Sequence, residues 1–373
     1  MTMRNAARVV VWGLLVLGVG GGLALPVPVW GQLPVCEYVA PENRLTALTL
    51  GGNYRFFEDR YLNDAENVNE GSLVLEGLAW VERPGWSYSL DGSLQAVFQD
   101  GEIALGAGVE GDGSARKYLN EKVFAFGGID TFGLGLAPDA GLTLNVLGGV
   151  GVGRFVNVTP LAQALQAAEA LVELGTLSEV PSQDVLQRVA EAIGKERELG
   201  LPGVLQEIES ALGVRLDVAA VLALQEVLRS EATRFCGWDA TAAVGYELVD
   251  PTGANNAVLR LRANYAQALD AASQVLARAR WQTALPYTGE YRFRATVSYD
   301  RILSPTADLT ATYTFSRRSL AALEAEQTHA LNVGVSLALQ ANLSVLLQAQ
   351  AAWGTGFEEP EWGFRVGFEY DLF

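Results

Sequence analysis

Tyr291-Arg292-Phe293-Arg294-Ala295-Thr296-Val297-Ser298-Tyr299-Asp300 puts five apolar side chains on one face of an extended chain and five polar ones on the other. Side chains in a strand point to alternate faces, so a period of two is the mark of a half-buried strand. The same alternation runs through residues 309–315, 238–248 and 86–98; in the last, Trp86, Tyr88, Leu90, Leu94, Ala96 and Phe98 interleave with Ser87, Ser89, Asp91, Ser93 and Gln95. Weaker or shorter versions occupy 48–56, 142–152, 257–265, 275–285, 331–339, 343–353 and 362–372, and less regular ones 73–81, 103–118 and 123–136. The pattern predicts a mainly β protein of about 14 strands, 12 to 16 within boundary error, each about ten residues long.

Charge placement decides where the apolar faces point. Arg260 and Arg262, Arg278 and Arg280, and Arg292 and Arg294 lie on the polar faces of three consecutive predicted strands. A soluble barrel of this strand number would have an interior too wide for Ala, Leu and Tyr to fill. A transmembrane antiparallel β-barrel, with apolar faces toward lipid and charges toward a wet lumen, satisfies every strand at once. Six guanidiniums on one wall would raise the local concentration of anions. The competing reading is that Glu247, Asp239 and Asp300 neutralise them and fill the lumen with ion pairs, since buried arginines are usually paired.

Composition agrees with this partition. Charged residues are 18% of the 373, against about 25% in an ordinary soluble chain, and no apolar run after the first thirty residues is long enough for a membrane helix. The formal charge of −17 and the pI near 4.6 argue against nucleic acid as a partner, because phosphate neutralisation needs clustered, outward Lys and Arg. A single His, His329, and two cysteines leave little for His-dependent catalysis or a metal centre, and we expect no enzyme activity, cofactor or metal.

Residues 1–31 read as a secretory signal peptide: Arg4 and Arg8 precede the apolar, glycine-broken stretch 9–25, and Val29-Trp30-Gly31 offers a small residue for cleavage before Gln32. Export leaves Cys36 and Cys236 where disulfides persist, so their even number favours one bridge, with two separate thiols as the alternative. The resulting organisation is 32–158, predicted strands one to six; 159–235, a helical insert; and 236–373, predicted strands seven to fourteen.

The insert changes period from two to about 3.6. Thr159-Pro160 reads as a helix cap followed by Pro at the first helical position, and Leu161, Leu165, Ala168, Leu171 and Val172 form a stripe. Ser182 caps a second helix bearing Val185, Leu186, Val189 and Ile193, closed near Gly194 or Gly200; 203–212 and 217–230 read as a third and fourth. With 12 acids against 6 bases, the insert is acidic and water-facing. Strand parity places it with the short turns, in the periplasm. Gly148-Gly149-Val150-Gly151-Val152-Gly153 lacks the context of a phosphate loop, and alternation instead puts Gly149, Gly151 and Gly153 on the inward face.

Signal peptide, alternating strands of about ten residues and the terminal Phe373 together resemble the bacterial outer-membrane β-barrel class. The resemblance covers the mature chain outside the insert and marks an architecture rather than one family. It implies outer-membrane lipid and the barrel-assembly machinery as partners, the latter reading Phe373; here Phe364, Val366, Phe368, Tyr370 and Leu372 run one residue out of phase with that Phe. Two functions follow as expectations: a porin-like channel passing small, anionic solutes through an Arg-lined lumen, or an anchoring barrel that presents its acidic insert to a periplasmic protein or the cell wall.

Overall fold

The computed structural model describes residues 43–57, 68–83, 85–99, 108–132, 143–228, 233–249, 256–304, 306–319, 325–340, 343–355 and 360–371. The predicted signal peptide, Cys36 and Phe373 lie outside them. Strands β1 (Asn43–Phe57), β2 (Val68–Arg83), β3 (Trp86–Gln99), β4 (Gly108–Tyr118), β5 (Val123–Phe132) and β6 (Thr143–Asn157) precede helices α1 (Thr159–Glu173), α2 (Gln183–Gly194), α3 (Glu196–Leu212) and α4 (Val218–Leu228). Strands β7 (Phe235–Val249), β8 (Ala257–Ala268), β9 (Ser273–Leu285), β10 (Tyr291–Ser304), β11 (Ala307–Ser319), β12 (Glu326–Gln340), β13 (Leu343–Gly354) and β14 (Glu361–Asp371) follow. Each strand pairs antiparallel with its chain neighbours, and β1 pairs with β14, closing a 14-strand barrel.

Closure removes both sheet edges, which is what allows a sheet to sit in hydrocarbon with no backbone group unpaired. Register then fixes the faces. Arg294 of β10 lies opposite Arg280 of β9 and Ser316 of β11, so the polar residues of 291–300 share the interior, while Phe293, Val297 and Tyr299 share the exterior. Outward side chains stay solvent-accessible because their covering phase is lipid: Leu90, Val150 and Val244 are each more than half exposed, and Phe364 is 82% exposed.

Several predicted strands are longer than the alternation suggested. Strand β2 starts at Val68 and β12 at Glu326, each five residues before the alternating stretches 73–81 and 331–339 begin. Charged residues at these barrel rims interrupt the apolar face, although the backbone ladder continues past them. The connections fall into two groups. Those at one end, the turn end, are short (84–85, 119–122, 269–272, 305–306, 341–342), with the helices as the exception.

Phe235, assigned from sequence to the insert, is the first residue of β7 and lies opposite Asn157. Thr159 is the first residue of α1 rather than its cap: its hydroxyl accepts from the Arg234 amide at 2.8 Å and donates to Asn157 Oδ1 at 2.5 Å, so it ties the two strand ends together. Ser182 does precede α2, and its carbonyl accepts the first helical amides without a side-chain cap. The third helix begins earlier than expected, at Glu196, and bends at Gly200 (φ 66°) just before Pro202. Asp217 caps α4 through Oδ1 and the Ala220 amide, 2.8 Å.

The helices build a small core of their own. On α2, Leu186, Val189, Ala190 and Ile193 recur at helical spacing and are buried; α1 contributes Leu161, Ala164, Ala168 and Leu171, and Val204, Ile208, Ala220 and Leu224 come from α3 and α4. Helix α1 packs against α2 and α4, and α2 against α3. The insert is fastened to the turn end by Gln166 Nε2, which donates to the Ala271 carbonyl of the β8–β9 turn at 2.8 Å.

Candidate functional site: the barrel lumen

All 14 strands contribute to one internal cavity of about 950 Å³. Arg262, Arg278, Arg280 and Arg294 line it, as do Asp91, Asp112, Asp130, Asp239, Asp300 and Asp308. Among the described residues, none from the four helices does, and beyond the strands Thr233 and Arg234 reach it. The described helices therefore stand outside the lumen, and the end of the insert meets it at Thr233 and Arg234.

The arginines of the wall divide into two sets. Arg260, only 5% exposed, is paired with Asp130 (2.6 Å) and lies 3.9 Å from Asp112. Arg280 also pairs with Asp130, and Arg262 with Asp112 at 3.4 Å. Asp130 accepts a third bond from Asn145. These pairs join β8 and β9 to β4 and β5 across the concave wall, and they replace the partners expected from sequence. Asp239 is taken by Arg116 (2.6 Å) and Asn264, Asp300 by Gln274, and Glu247 accepts the Asn256 amide. Sequence reasoning missed Asp112 and Asp130 because they sit four and three strands from Arg260, and alternation assigns faces but no curvature.

Arg278 and Arg294 form the second set. Both are exposed within the lumen, and neither forms an ion pair among the described residues. Arg278 faces Asn264 on one side and Thr296 on the other, and Arg294 lies beside Arg280. Arg292, the sixth arginine of the predicted wall, is exposed one inward step beyond Arg294, away from the turn end. Arg278 and Arg294 thus face the cavity without an ion pair, while Arg260, Arg262 and Arg280 share Asp112 and Asp130.

A second feature had no signal in the periodicity. At the turn end, Trp80 of β2 stacks on Phe155 of β6 (centroids 5.9 Å) and Phe235 of β7 (5.2 Å), and the two Phe rings lie 5.3 Å apart. Leu45 of β1, Leu276 of β9 and Ala266 of β8 pack on the same cluster. Side chains from β1 and β2 thereby meet side chains from β6, β7 and β9, so an apolar bar crosses the lumen. Arg154 beside it binds Glu82 of β2 at 3.2 Å and lies over the Tyr118 ring.

The glycine run of β6 also has a specific use. A Cβ at Gly151 would lie 2.3 Å from the Phe124 ring, and one at Gly149 would lie 2.9 Å from the Phe126 ring. These glycines face inward, and the two Phe rings cover them. His329 points outward from β12, accepts or donates a 2.7 Å bond with Tyr313 and stacks on Trp353, an arrangement suited to an aromatic belt at the membrane interface. Cys236 is wholly buried near the start of β7 and is not a free thiol; Cys36, its proposed partner, is outside the described residues.

No family model and no curated protein matches the chain. Solved structures to which it is similar include a bacterial polysaccharide outer membrane secretin (6% identity over 90% of this chain and 99% of that one, TM-score 0.35). A BenF-like porin from Pseudomonas fluorescens gives 9% identity over 89% and 98%, TM-score 0.36. A triple mutant of the Rhodopseudomonas blastica porin gives 11% identity over 88% and 100%, TM-score 0.29. A closed antiparallel barrel of 14 strands with an apolar exterior and a charged, hollow interior has the architecture of a transmembrane β-barrel.

Proposed function

We propose that the protein is an outer-membrane channel for small solutes, biased toward anions. The observation that carries this is the cavity lined by all 14 strands in which Arg278 and Arg294 stand without ion-pair partners. Fixed positive charge attracts anions; the cavity as a whole is lined by more carboxylates than guanidiniums, and the bias belongs to the stretch of the β9–β10 wall where these two arginines stand together. The insert then lies on the periplasmic side, where a Cys36–Cys236 bridge would tie the segment before β1 to the start of β7. Nothing in this reading needs catalysis or a cofactor. In a planar bilayer under a salt gradient, the purified protein gives single-channel steps with a reversal potential of anion sign. Replacing Arg278 and Arg294 together by Gln moves that potential toward zero; an unchanged potential would overturn the anion assignment.

The apolar bar favours a second reading, in which the barrel is chiefly an anchor for the acidic helices and the lumen stays shut. A bilayer that remains sealed with verified, folded protein would select it.

A further inference from the structure

The end of the β6–β7 hairpin departs from the rest of the wall in a way that concerns both the lumen and the insert. Along β6 the inward residues are Asn145, Leu147, Gly149, Gly151 and Gly153. Beyond Gly153, Phe155 and Asn157 keep the inward phase, and Arg154, which belongs to the outward phase, also reaches interior partners. Gly153 has φ 102° and Gly237, opposite Phe155, has φ 95°, a region of backbone space that L side chains rarely enter. Space forbids a side chain as well: a Cβ at Gly153 would lie 2.2 Å from the Trp238 carbonyl oxygen, and one at Gly237 would lie 2.2 Å from that of Arg154. The two paired strands thus each carry a positive-φ glycine here while their register stays continuous, and Phe155 and Phe235, just beyond, are two of the three rings of the apolar bar.

The insert is joined to those residues with little slack. Val158, where it begins, donates its amide to the Arg234 carbonyl, where it ends, at 2.8 Å. The Arg234 side chain, 2% exposed, donates to the Ala272 carbonyl at 2.7 Å, and Gln274 accepts the Phe235 amide at 3.1 Å while donating to the Thr233 carbonyl. With the Gln166 bond to Ala271, the helices are held to the β8–β9 turn on one side and to the hairpin end on the other.

We propose that the Trp80–Phe155–Phe235 bar is a hinged gate at the turn end of the lumen, bending at Gly153 and Gly237, and that the helical insert is the lever holding it closed. Apolar constrictions stop ion flow by excluding water, and a small displacement of the rings is enough to rewet them. The bar is held by stacking, by the packing of Leu45, Leu276 and Ala266 on it and by the Arg154–Glu82 pair beside it, contacts that a movement of the insert can break together. The gate rests on the channel reading above.

Single-channel recording on the full-length protein tests it, with folding of each variant checked by the heat-dependent shift of barrel mobility in detergent gels. Trp80→Ala removes the β2 half of the bar and should raise unitary conductance several-fold. Gln166→Ala loosens the insert and should raise open probability while leaving unitary conductance as in the unmodified protein. Unchanged conductance in Trp80→Ala would show that the bar is not the constriction. Unchanged open probability in Gln166→Ala would show that the insert is no lever. If neither the unmodified protein nor Trp80→Ala conducts although both are folded, the channel reading falls, and the gate with it.

Discussion

Asp130 carries more of the interior than any other single side chain described. It is 3% exposed and receives Arg260, Arg280 and Asn145 at once. Desolvating a carboxylate is costly, and two guanidiniums with an amide donor offset that cost through short charge-assisted bonds. Removing the charge reverses the balance, since Arg260 would be left buried without its principal counter-ion. Asp130→Asn is therefore expected to destabilise the barrel by about 3–5 kcal/mol, read as a shift in the urea midpoint of the refolded protein in lipid vesicles. A shift no larger than that of an exposed control such as Asp184→Asn, on the outer face of α2, would show that the network contributes little. The arginines of this network were legible in the sequence because alternation assigns faces. Asp112 and Asp130 were not, because the contact depends on how far a closed wall curves between β4 and β9.

At the scale of elements, the strands were legible wherever apolar and polar residues alternate without interruption, as in β10 and β7, and less so near the rims. The helices were legible through their i, i+3, i+4 stripes. The positive φ at Gly153 and Gly237 was not, since a glycine in a strand pattern signals small size and positive φ alike. The joint between insert and barrel has a pH dependence of its own. Glu169 of α1 holds its proton more tightly than a free carboxylate, through partial desolvation and then through the nearby charges of Asp270, on the β8–β9 turn, and Glu173. A carboxyl whose affinity for protons is higher in the docked state makes docking stronger as pH falls and weaker as pH rises through the raised value. Hydrogen exchange in α1 and in turn 269–272 should accordingly slow between neutral pH and about pH 5, after correction for the intrinsic rate. Glu169→Gln should abolish that extra protection, and a pH response that persists in this variant would assign it to another group.

At the scale of the whole molecule, the barrel and the insert are built on different principles and share little. The barrel hides its backbone polar groups by closure and leaves its apolar side chains outward, whereas the insert buries Leu171, Leu186, Ile208 and Leu224 in a core of its own. Strands β6 and β7 remain paired to their last residues, Asn157 opposite Phe235, so the sheet is already complete before the helices begin. It follows that the insert is dispensable for closure. Replacing residues 158–234 by a two-residue Asn-Gly turn, whose type I′ geometry matches the twist of an antiparallel pair, should give a protein that still inserts into vesicles and keeps its heat-dependent gel mobility and β-sheet circular dichroism. Failure to insert would mean that the helices guide assembly as well as hang from the finished barrel. If the shortened barrel does insert, freeing Phe155 and Phe235 from the lever should leave its channels open for longer than those of the full chain, with the reversal potential unchanged because Arg278 and Arg294 are untouched.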